Sequence, residues 1–213
     1  MIIRLEKTIP LPMVELDTSE SEIWEADFFV FKQGFSYLVE AESGKGKTSL
    51  LSMLFGLRKD YHGEIYLDQN NIRNNTASDW SKLRKNQFSY IFQGLELFDD
   101  LSALENIMLK NRITTHKSNK EIFQMAHMLN VGDFLHKQCR ILSFGQKQRI
   151  AIIRALCQPF NFLLADECFS HIDSRHSEMA LELILSECKA NNAGLILTSL
   201  GSQNMKLDQR VKL

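Results

Sequence analysis

Short apolar runs and amphipathic stretches alternate along the chain, and their periods predict strands and helices in turn. Apolar positions alternate in residues 2–6, and after a polar turn at 17–21 an aromatic run at 28–31 ends at Gly34, which predicts β structure in residues 1–35. Residues 36–41 predict another strand. A glycine-containing loop follows, and the apolar positions between residues 47 and 57 repeat with a helical period. This part of the chain therefore predicts strand, loop and helix in that order.

The middle of the chain, residues 101–155, has a helical pattern. Ser118 stands three positions before Glu121, which is typical of a capping box ahead of an apolar stripe at Ile122, Met125 and Leu129. Other runs predict an edge strand at 63–67, a buried strand at 88–92, a central strand at 162–165, a helix at 174–189 and a further buried strand at 194–198. Because strands resume after the helical stretch, we expect an α/β core with a parallel sheet and an inserted helical lobe.

Composition and charge narrow the class of protein. The 213 residues suffice for one sizeable α/β core with an insertion, but not for two large domains. Lys and Arg total 25 against 26 Asp and Glu and are spread along helical segments, so no clustered positive stripe predicts a nucleic-acid partner.

We see no leader pattern and no run approaching the roughly 18 apolar residues of a membrane span, and we expect a cytoplasmic protein. No C-x-x-C spacing favours a metal site or disulfide among Cys139, Cys157, Cys168 and Cys188.

Residues 41–48, A-E-S-G-K-G-K-T, match the phosphate-binding pattern G-x-x-x-x-G-K-[ST] except that Ala41 replaces the first glycine. Small residues let successive backbone N–H groups turn inward around phosphates, and a following helix directs its N-terminus at the same charge. We expect Lys47 to reach the β and γ phosphates of ATP and Thr48 to bind Mg²⁺. A glycine turn that only caps a helix is the alternative. The predicted phosphate-binding residues are Ser43, Gly44, Lys45, Gly46, Lys47, Thr48 and Ser49.

The apolar run 162–165 ends in two adjacent carboxylates, Asp166 and Glu167. At the end of a buried strand, Asp166 would lie beside the magnesium shell and Glu167 at the γ-phosphate, where it can polarise an attacking water. A strand that merely ends in two acids is equally compatible with this run alone. The phosphate-binding pattern over a hundred residues earlier favours the catalytic interpretation.

Residues 142–149, L-S-F-G-Q-K-Q-R, resemble the LSGGQ signature of ABC ATPases, with Phe144 in place of the first signature glycine. The segment precedes a helical run and the acidic strand, in the order found in that family. The resemblance implies that Ser143, Gly145 and Gln146 lie at a helix N-terminus and hold the γ-phosphate of an ATP presented by a partner subunit. A Ser-capped helix without a ligand is the alternative.

Two further segments fall where this resemblance predicts them. Gln93 follows a strand and is similar to the Q-loop glutamine, a ligand of magnesium or water, with residues 94–98 facing a permease. Residues 170–173, S-H-I-D, resemble the D-loop, which would place Asp173 at a dimer interface. Residues 97–106 resemble the subgroup that serves lipoprotein-release, macrolide-efflux and cell-division permeases. Isolated Gln and Asp side chains are usually only solvated, so both residue assignments depend on the resemblance.

The resemblance implies a complete architecture and a transport function. The fold would be α/β, a P-loop NTPase core with a mixed sheet, an N-terminal antiparallel β subdomain and an inserted α-helical subdomain. The core lobe would comprise residues 1–74 and 159–213, and the helical lobe about 75–158. The chain would be an ATPase using ATP and Mg²⁺, paired as a homodimer or heterodimer, that drives a membrane permease on a separate chain from the inner face of the cell membrane.

Besides Ala41 and Phe144, the sequence departs from the family pattern in two further places. Leu200 stands where the resemblance predicts a histidine that contacts the γ-phosphate, and because leucine cannot donate a hydrogen bond, either hydrolysis is slow or another group or the partner subunit substitutes. No clear aromatic residue is placed to stack on adenine, since Trp24 is predicted to lie inside the second strand. Two alternatives stay open: a subunit that binds nucleotide with little turnover, and a soluble ABC protein of DNA repair or ribosomes. The latter usually carry a long coiled coil or a second cassette.

Overall fold

Two β-sheets and six α-helices make up the part of the chain that the computed structural model describes, residues 1–200 and 205–213. The strands are β1 (Ile2–Pro10), β2 (Phe28–Lys32), β3 (Ser36–Glu40), β4 (Tyr61–Leu67), β5 (Asn70–Asn71), β6 (Phe88–Ile91), β7 (Phe162–Asp166), β8 (Gly194–Ser199) and β9 (Gln209–Lys212). The helices are α1 (Lys47–Leu54), α2 (Ala77–Asn86), α3 (Ala103–Thr114), α4 (Asn119–Met128), α5 (Phe144–Leu156) and α6 (Ser174–Ala190). No described helix is long and apolar enough to cross a membrane.

The N-terminal sheet is antiparallel, with strand order β2-β1-β4-β5. Period-two alternation in β1 buries Ile3 and Leu5, which pair in register with Phe31 of β2 and Ile65 of β4 respectively. The strand predicted at 63–67 is present as part of β4, but its predicted edge position is wrong, because β4 lies between β1 and β5. The prediction that Trp24 lies inside the second strand is wrong, because Trp24 lies in a turn before β2. There, Ser21 Oγ accepts the Trp24 backbone N–H at 2.8 Å.

The second sheet is parallel, in the order β6-β7-β8-β3-β9. Both of its faces are covered, as a parallel sheet of apolar strands requires. On one side it packs against α1 and the antiparallel sheet, and on the other against the helical lobe and α6. Alternate residues of β7 divide between these cores, Leu163 on the helical side and Leu164 on the other. The edge strand β9 was missed, because four residues with one buried side chain carry little periodic signal.

The helical part of the chain begins after β6. β6 falls inside the range 75–158 predicted for the helical lobe, yet it pairs with β7 in the parallel sheet. The chain then runs through α3, α4 and α5 before returning to the sheet at β7. The capping box predicted at Ser118 and Glu121 is confirmed, and Ser102 and Ser143 begin α3 and α5 in the same way. All four cysteines are buried free thiols.

Gly56 follows α1 and lies against the ring of Trp80, a residue of α2. Its φ is +71°, and a Cβ there would lie 2.4 Å from Trp80 Cε2. We expect Gly56→Ala to lower the free energy of unfolding by about 2 to 4 kcal/mol, since left-handed strain and overpacking add. Chemical denaturation measures the loss. Gly44→Ala is the matched control, because Gly44 has φ +83° but no atom within 4 Å of its Cβ position. Equal losses in both variants would contradict the packing argument.

Candidate functional site

The loop between β3 and α1 surrounds the side chain of Lys47. Gly44 and Gly46 have φ of +83° and +95°, which lets the backbone turn into the N-terminus of α1. Lys47 is buried, and its Nζ donates to the carbonyl oxygens of Ala41 and Glu42, both at 2.8 Å. The ammonium group is therefore held across the loop that precedes it, at the end of a helix whose dipole favours an anion.

Other members of the loop differ in their accessibility. Ser43, Gly44 and Thr48 are exposed, so their polar groups can reach an external ligand. Ser49 is half-buried, and its Oγ accepts a hydrogen bond from Arg58 Nη1 at 2.7 Å. Lys45 donates from Nζ to the Asp17 carbonyl oxygen at 3.2 Å and is partly covered.

Trp24 supports this loop from beside it. Its Nε1 donates to the Lys45 carbonyl oxygen at 3.4 Å, and its ring lies 3.3 Å from the position of a Cβ on Gly46. The indole is 5% exposed and lines a cavity beside the loop together with Asp17, Ala41 and Lys45. The nearest aromatic candidate for adenine is thus a structural support of the loop.

Two carboxylates lie at the carboxyl end of β7, and one of them contacts Lys47. Asp166 ends β7 and is 1% exposed, while Glu167 leaves the strand with φ +45°. Glu167 Oε1 lies 3.4 Å from Lys47 Nζ, and its Oε2 accepts from Gln93 Nε2 at 3.3 Å. The carboxyl ends of parallel strands share one edge of the sheet, which is why residues so distant in sequence converge. Lys47, Gln93 and Glu167, the three predicted catalytic residues, are therefore brought together.

Thr198 and Tyr90, which the sequence did not identify as site residues, donate hydrogen bonds to Asp166. Thr198 Oγ1 donates to Asp166 Oδ1 at 2.8 Å and accepts the Glu167 backbone N–H at 3.1 Å, because β8 pairs Thr198 with Asp166 in register. The Tyr90 hydroxyl donates to Asp166 Oδ2 at 3.4 Å. Burial, with a smaller contribution from Asp166, raises the pKa of Tyr90 well above its usual value, so the phenol stays a donor. The sequence signal that could have identified Thr198 is a hydroxyl side chain at the end of the strand predicted at 194–198.

Removing the Thr198 hydroxyl should weaken this support. In Thr198→Val the shape is kept, but Asp166 Oδ1 loses a donor in a buried setting, and the Glu167 N–H loses an acceptor in a partly buried one. We expect a loss of about 1 to 3 kcal/mol in the free energy of unfolding, together with a lower ATPase rate. Denaturation and steady-state turnover measure these effects. Thr198→Ser keeps the hydroxyl and should be close to the unsubstituted protein; a Val variant with unchanged stability would contradict the role.

A second group of predicted residues lies at the N-terminus of α5. Ser143 is its N-cap and shares a capping box with Gln146: Ser143 Oγ accepts the Gln146 N–H at 3.3 Å, and Gln146 Oε1 accepts the Ser143 N–H at 2.9 Å. Gly145 lies in the first turn, and Asp173 is the N-cap of α6. Within the described residues, no hydrogen bond or ion pair joins the Ser143, Gly145 and Gln146 side to Lys47, Gln93 or Glu167. The structure therefore keeps these two groups of predicted residues apart within one chain.

Leu200 follows β8 at the side of Glu167. Both residues line a cavity of about 170 Å³ together with Ser170, Ser199 and Met205. Ser199 is buried, and its Oγ has no hydrogen-bond partner among the described residues. Leu200 is about half exposed and offers only apolar contact to this cavity. The position assigned to a histidine by resemblance thus contributes no hydrogen-bond donor from its side chain.

Comparison with known proteins places the chain in a family. The model of the ABC transporter family matches residues 29–170. The lipoprotein-releasing system ATP-binding protein LolD of Francisella tularensis is 36% identical over 158 residues, 72% of this chain and 68% of the relative. The protein of the same name from Protochlamydia amoebophila is 27% identical over 182 residues, 83% and 78% of the two chains.

A solved structure extends the likeness to the fold. A dimeric ATP-binding cassette in a post-hydrolysis state, bound to ADP and Pi, superposes with a TM-score of 0.74 over 92% of this chain and 87% of the other, at 22% identity. At that identity the match shows the fold alone, and it confirms the predicted ABC ATPase architecture of antiparallel sheet, parallel sheet and helical insertion. With the family match over residues 29–170 and the similarity to LolD, the chain belongs to the ABC transporter family, as one of its ATP-binding ATPase subunits.

Proposed function

We propose that this subunit binds ATP with Mg²⁺ at residues 43–49, closes head to tail with a second cassette around two ATP molecules, and drives a separate membrane permease when Glu167 promotes hydrolysis. The observation that carries the proposal is the convergence of three side chains: the Glu167 carboxylate lies 3.4 Å from Lys47 Nζ and 3.3 Å from Gln93 Nε2. This convergence supports the assignment of a cation for phosphate, a polar ligand and a general base to these three residues.

Oxygen ligands suited to Mg²⁺ are carried by Gln93 and by the sequence neighbours of Lys47 and Glu167. The Thr48 hydroxyl is exposed, the Asp166 carboxylate ends β7, and Gln93 donates through Nε2, which leaves its carbonyl oxygen to act as a ligand. This set of hard oxygen donors fits magnesium, which keeps several waters and takes the rest of its shell from carboxylates and phosphates. When bound, the ion would neutralise charge on the β and γ phosphates.

The chain's own groups would then perform three tasks. Lys47 Nζ, now held by the Ala41 and Glu42 carbonyl oxygens, would donate to phosphate oxygens. Glu167 would accept a proton from a water aligned with the γ-phosphate. Thr198 and Tyr90 keep Asp166 in place by donating to its two oxygens. Positioning and electrostatics, without covalent chemistry, are what phosphoryl transfer needs from a protein.

The half-site at α5 would serve the ATP of the partner cassette. Ser143, Gly145 and Gln146 surround the free N–H groups at the start of a 13-residue helix, a place that favours a phosphate. Because they share no polar contact with Lys47, a second copy or a related cassette is needed to complete each site. Asp173 at the start of α6 would lie at this interface.

The coupling to a permease would run through residues 94–98. Phe98 in this segment and Leu109 and Ile113 on α3 have exposed apolar side chains, which can contact a partner. Arg154 of α5 donates from its guanidinium to the carbonyl oxygens of Leu95 and Glu96. A shift of the segment would therefore reach α5, whose other end carries Ser143. We place the subunit on the cytoplasmic side of the membrane, and we propose that the core and helical lobes move relative to each other in this cycle.

Steady-state ATP hydrolysis by the purified chain, alone and with a co-purifying membrane protein, tests the proposal. We expect measurable turnover in both settings, with a rate that changes when the membrane protein is present. ATP binding without turnover in either setting would overturn the motor function and leave a nucleotide-dependent association module. Turnover with no membrane partner in any preparation would favour the soluble class of ABC proteins.

A further inference from the structure

We propose that His171 of one subunit donates a hydrogen bond to the γ-phosphate of the ATP bound by its partner, and so supplies the imidazole that the position of Leu200 lacks. The inference rests on the proposed head-to-tail dimer. Among the described residues, those lining the cavity beside Glu167 include serine, threonine and apolar side chains but no histidine. An imidazole donor to the γ-phosphate would therefore have to come from elsewhere.

His171 lies against the half-site that would face the partner's ATP. Its ring packs edge-on against Phe144, with centroids 4.4 Å apart and an interplanar angle of 61°. A Cβ on Gly145 would lie 3.0 Å from the His171 carbonyl oxygen, so the backbones of the two segments also touch. Phe144 and His171 are both exposed. A phosphate held by Ser143 and Gly145 would thus arrive on the surface that carries the imidazole.

The hydrogen bonding of the ring leaves its outer nitrogen available. Ser170 Oγ lies 2.8 Å from His171 Nδ1, and when the hydroxyl donates, the proton of the neutral imidazole is on Nε2. Nε2 has no hydrogen-bond partner in residues 1–200 and 205–213. His176, five positions later, differs: its Nδ1 is 2.6 Å from Asp173 Oδ2 and its Nε2 is 3.4 Å from Asn130 Nδ2. Of these two histidines, His171 is the one free to donate outward.

Phe144 and His171 act together in this arrangement. The family signature has a glycine where Phe144 stands, and a glycine would leave the imidazole without a neighbour on that side. The aromatic contact favours one orientation of the ring, which reduces the entropy lost when it meets a phosphate. The substituted signature residue and the histidine therefore form a single structural unit.

The first test measures turnover of His171→Phe at saturating ATP, a variant that keeps a ring beside Phe144 but has no side-chain donor. We expect kcat to fall by at least about tenfold, as for loss of one donor to a developing charge, with ATP affinity nearly unchanged. His136→Phe is the matched control, since His136 is exposed on the helical lobe. A His171→Phe variant with the same kcat as the unsubstituted chain would overturn the inference. If the unsubstituted chain itself does not turn over ATP, the proposed function fails instead.

The second test asks which subunit supplies the imidazole. A Lys47→Ala subunit and a His171→Phe subunit are each expected to be nearly inactive. Mixed one to one, they form a dimer in which the intact Lys47 of one faces the intact His171 of the other, so turnover should recover. A mixture of Lys47→Ala with the unsubstituted chain shows how much activity one intact site gives. No recovery, despite activity in that reference mixture, would overturn the placement of His171 across the interface.

Discussion

Replacing Glu167 by Gln is expected to lower ATP turnover by at least about a hundredfold, the usual range for loss of a general base. The variant keeps the size of the side chain and its contact with Gln93, but an amide cannot accept the proton of the attacking water. The neighbouring Lys47, 3.4 Å away, loses an anionic neighbour and remains able to bind phosphate. ATP affinity should therefore be retained or increased. Initial rates and equilibrium binding of ATP measure the two effects separately.

The same variant reports on assembly. If hydrolysis opens the dimer, Glu167→Gln with ATP should accumulate as a closed dimer, which size-exclusion chromatography coupled to light scattering detects. Glu182→Gln on the exposed side of α6 is the control for loss of one negative charge. Turnover within a few-fold of the unsubstituted rate in Glu167→Gln would show that Glu167 is not the base.

Replacing Lys47 by Ala should abolish nucleotide binding as well as turnover. The ammonium group is 4% exposed and held at 2.8 Å by each of two carbonyl oxygens, so it is already oriented for a ligand at the start of α1. A hydrogen bond to a charged group contributes about 1.5 to 3 kcal/mol, and loss of contacts to two phosphates should raise the Kd of ATP about a hundredfold or more. Calorimetric titration measures this directly.

The control for this substitution must keep the fold and remove a similar charge. Lys82→Ala on exposed α2 does so far from the site. Because Glu167 Oε1 also loses its cationic neighbour in Lys47→Ala, thermal unfolding should be compared before binding is interpreted. ATP binding of normal affinity by a folded Lys47→Ala chain would rule out the assigned phosphate site.

The positions of most elements followed from the sequence because the forces that form them are local. The period of two in residues 2–6, the apolar run before Asp166 and the capping box at Ser118 each depend on neighbours a few positions away. The turn at 41–48 also follows from local sequence, since its glycines and the start of α1 define the path of the backbone around Lys47. Local patterns thus predicted the family, the strand-loop-helix unit and the acidic strand end.

Other features depend on contacts between distant segments, and only the tertiary structure decided them. The register of β7 against β8 places Thr198 beside Asp166, and packing of a turn against the P-loop buries Trp24 where the sequence predicted a strand. The ring contact between Phe144 and His171 joins segments that no short window contains. Periodicity shows which face of an element is apolar but not which distant residue it meets. The sequence by itself therefore determined what chemistry this protein carries, while the tertiary structure decided which residues support it, because side-chain contacts across a sheet are set by register and packing.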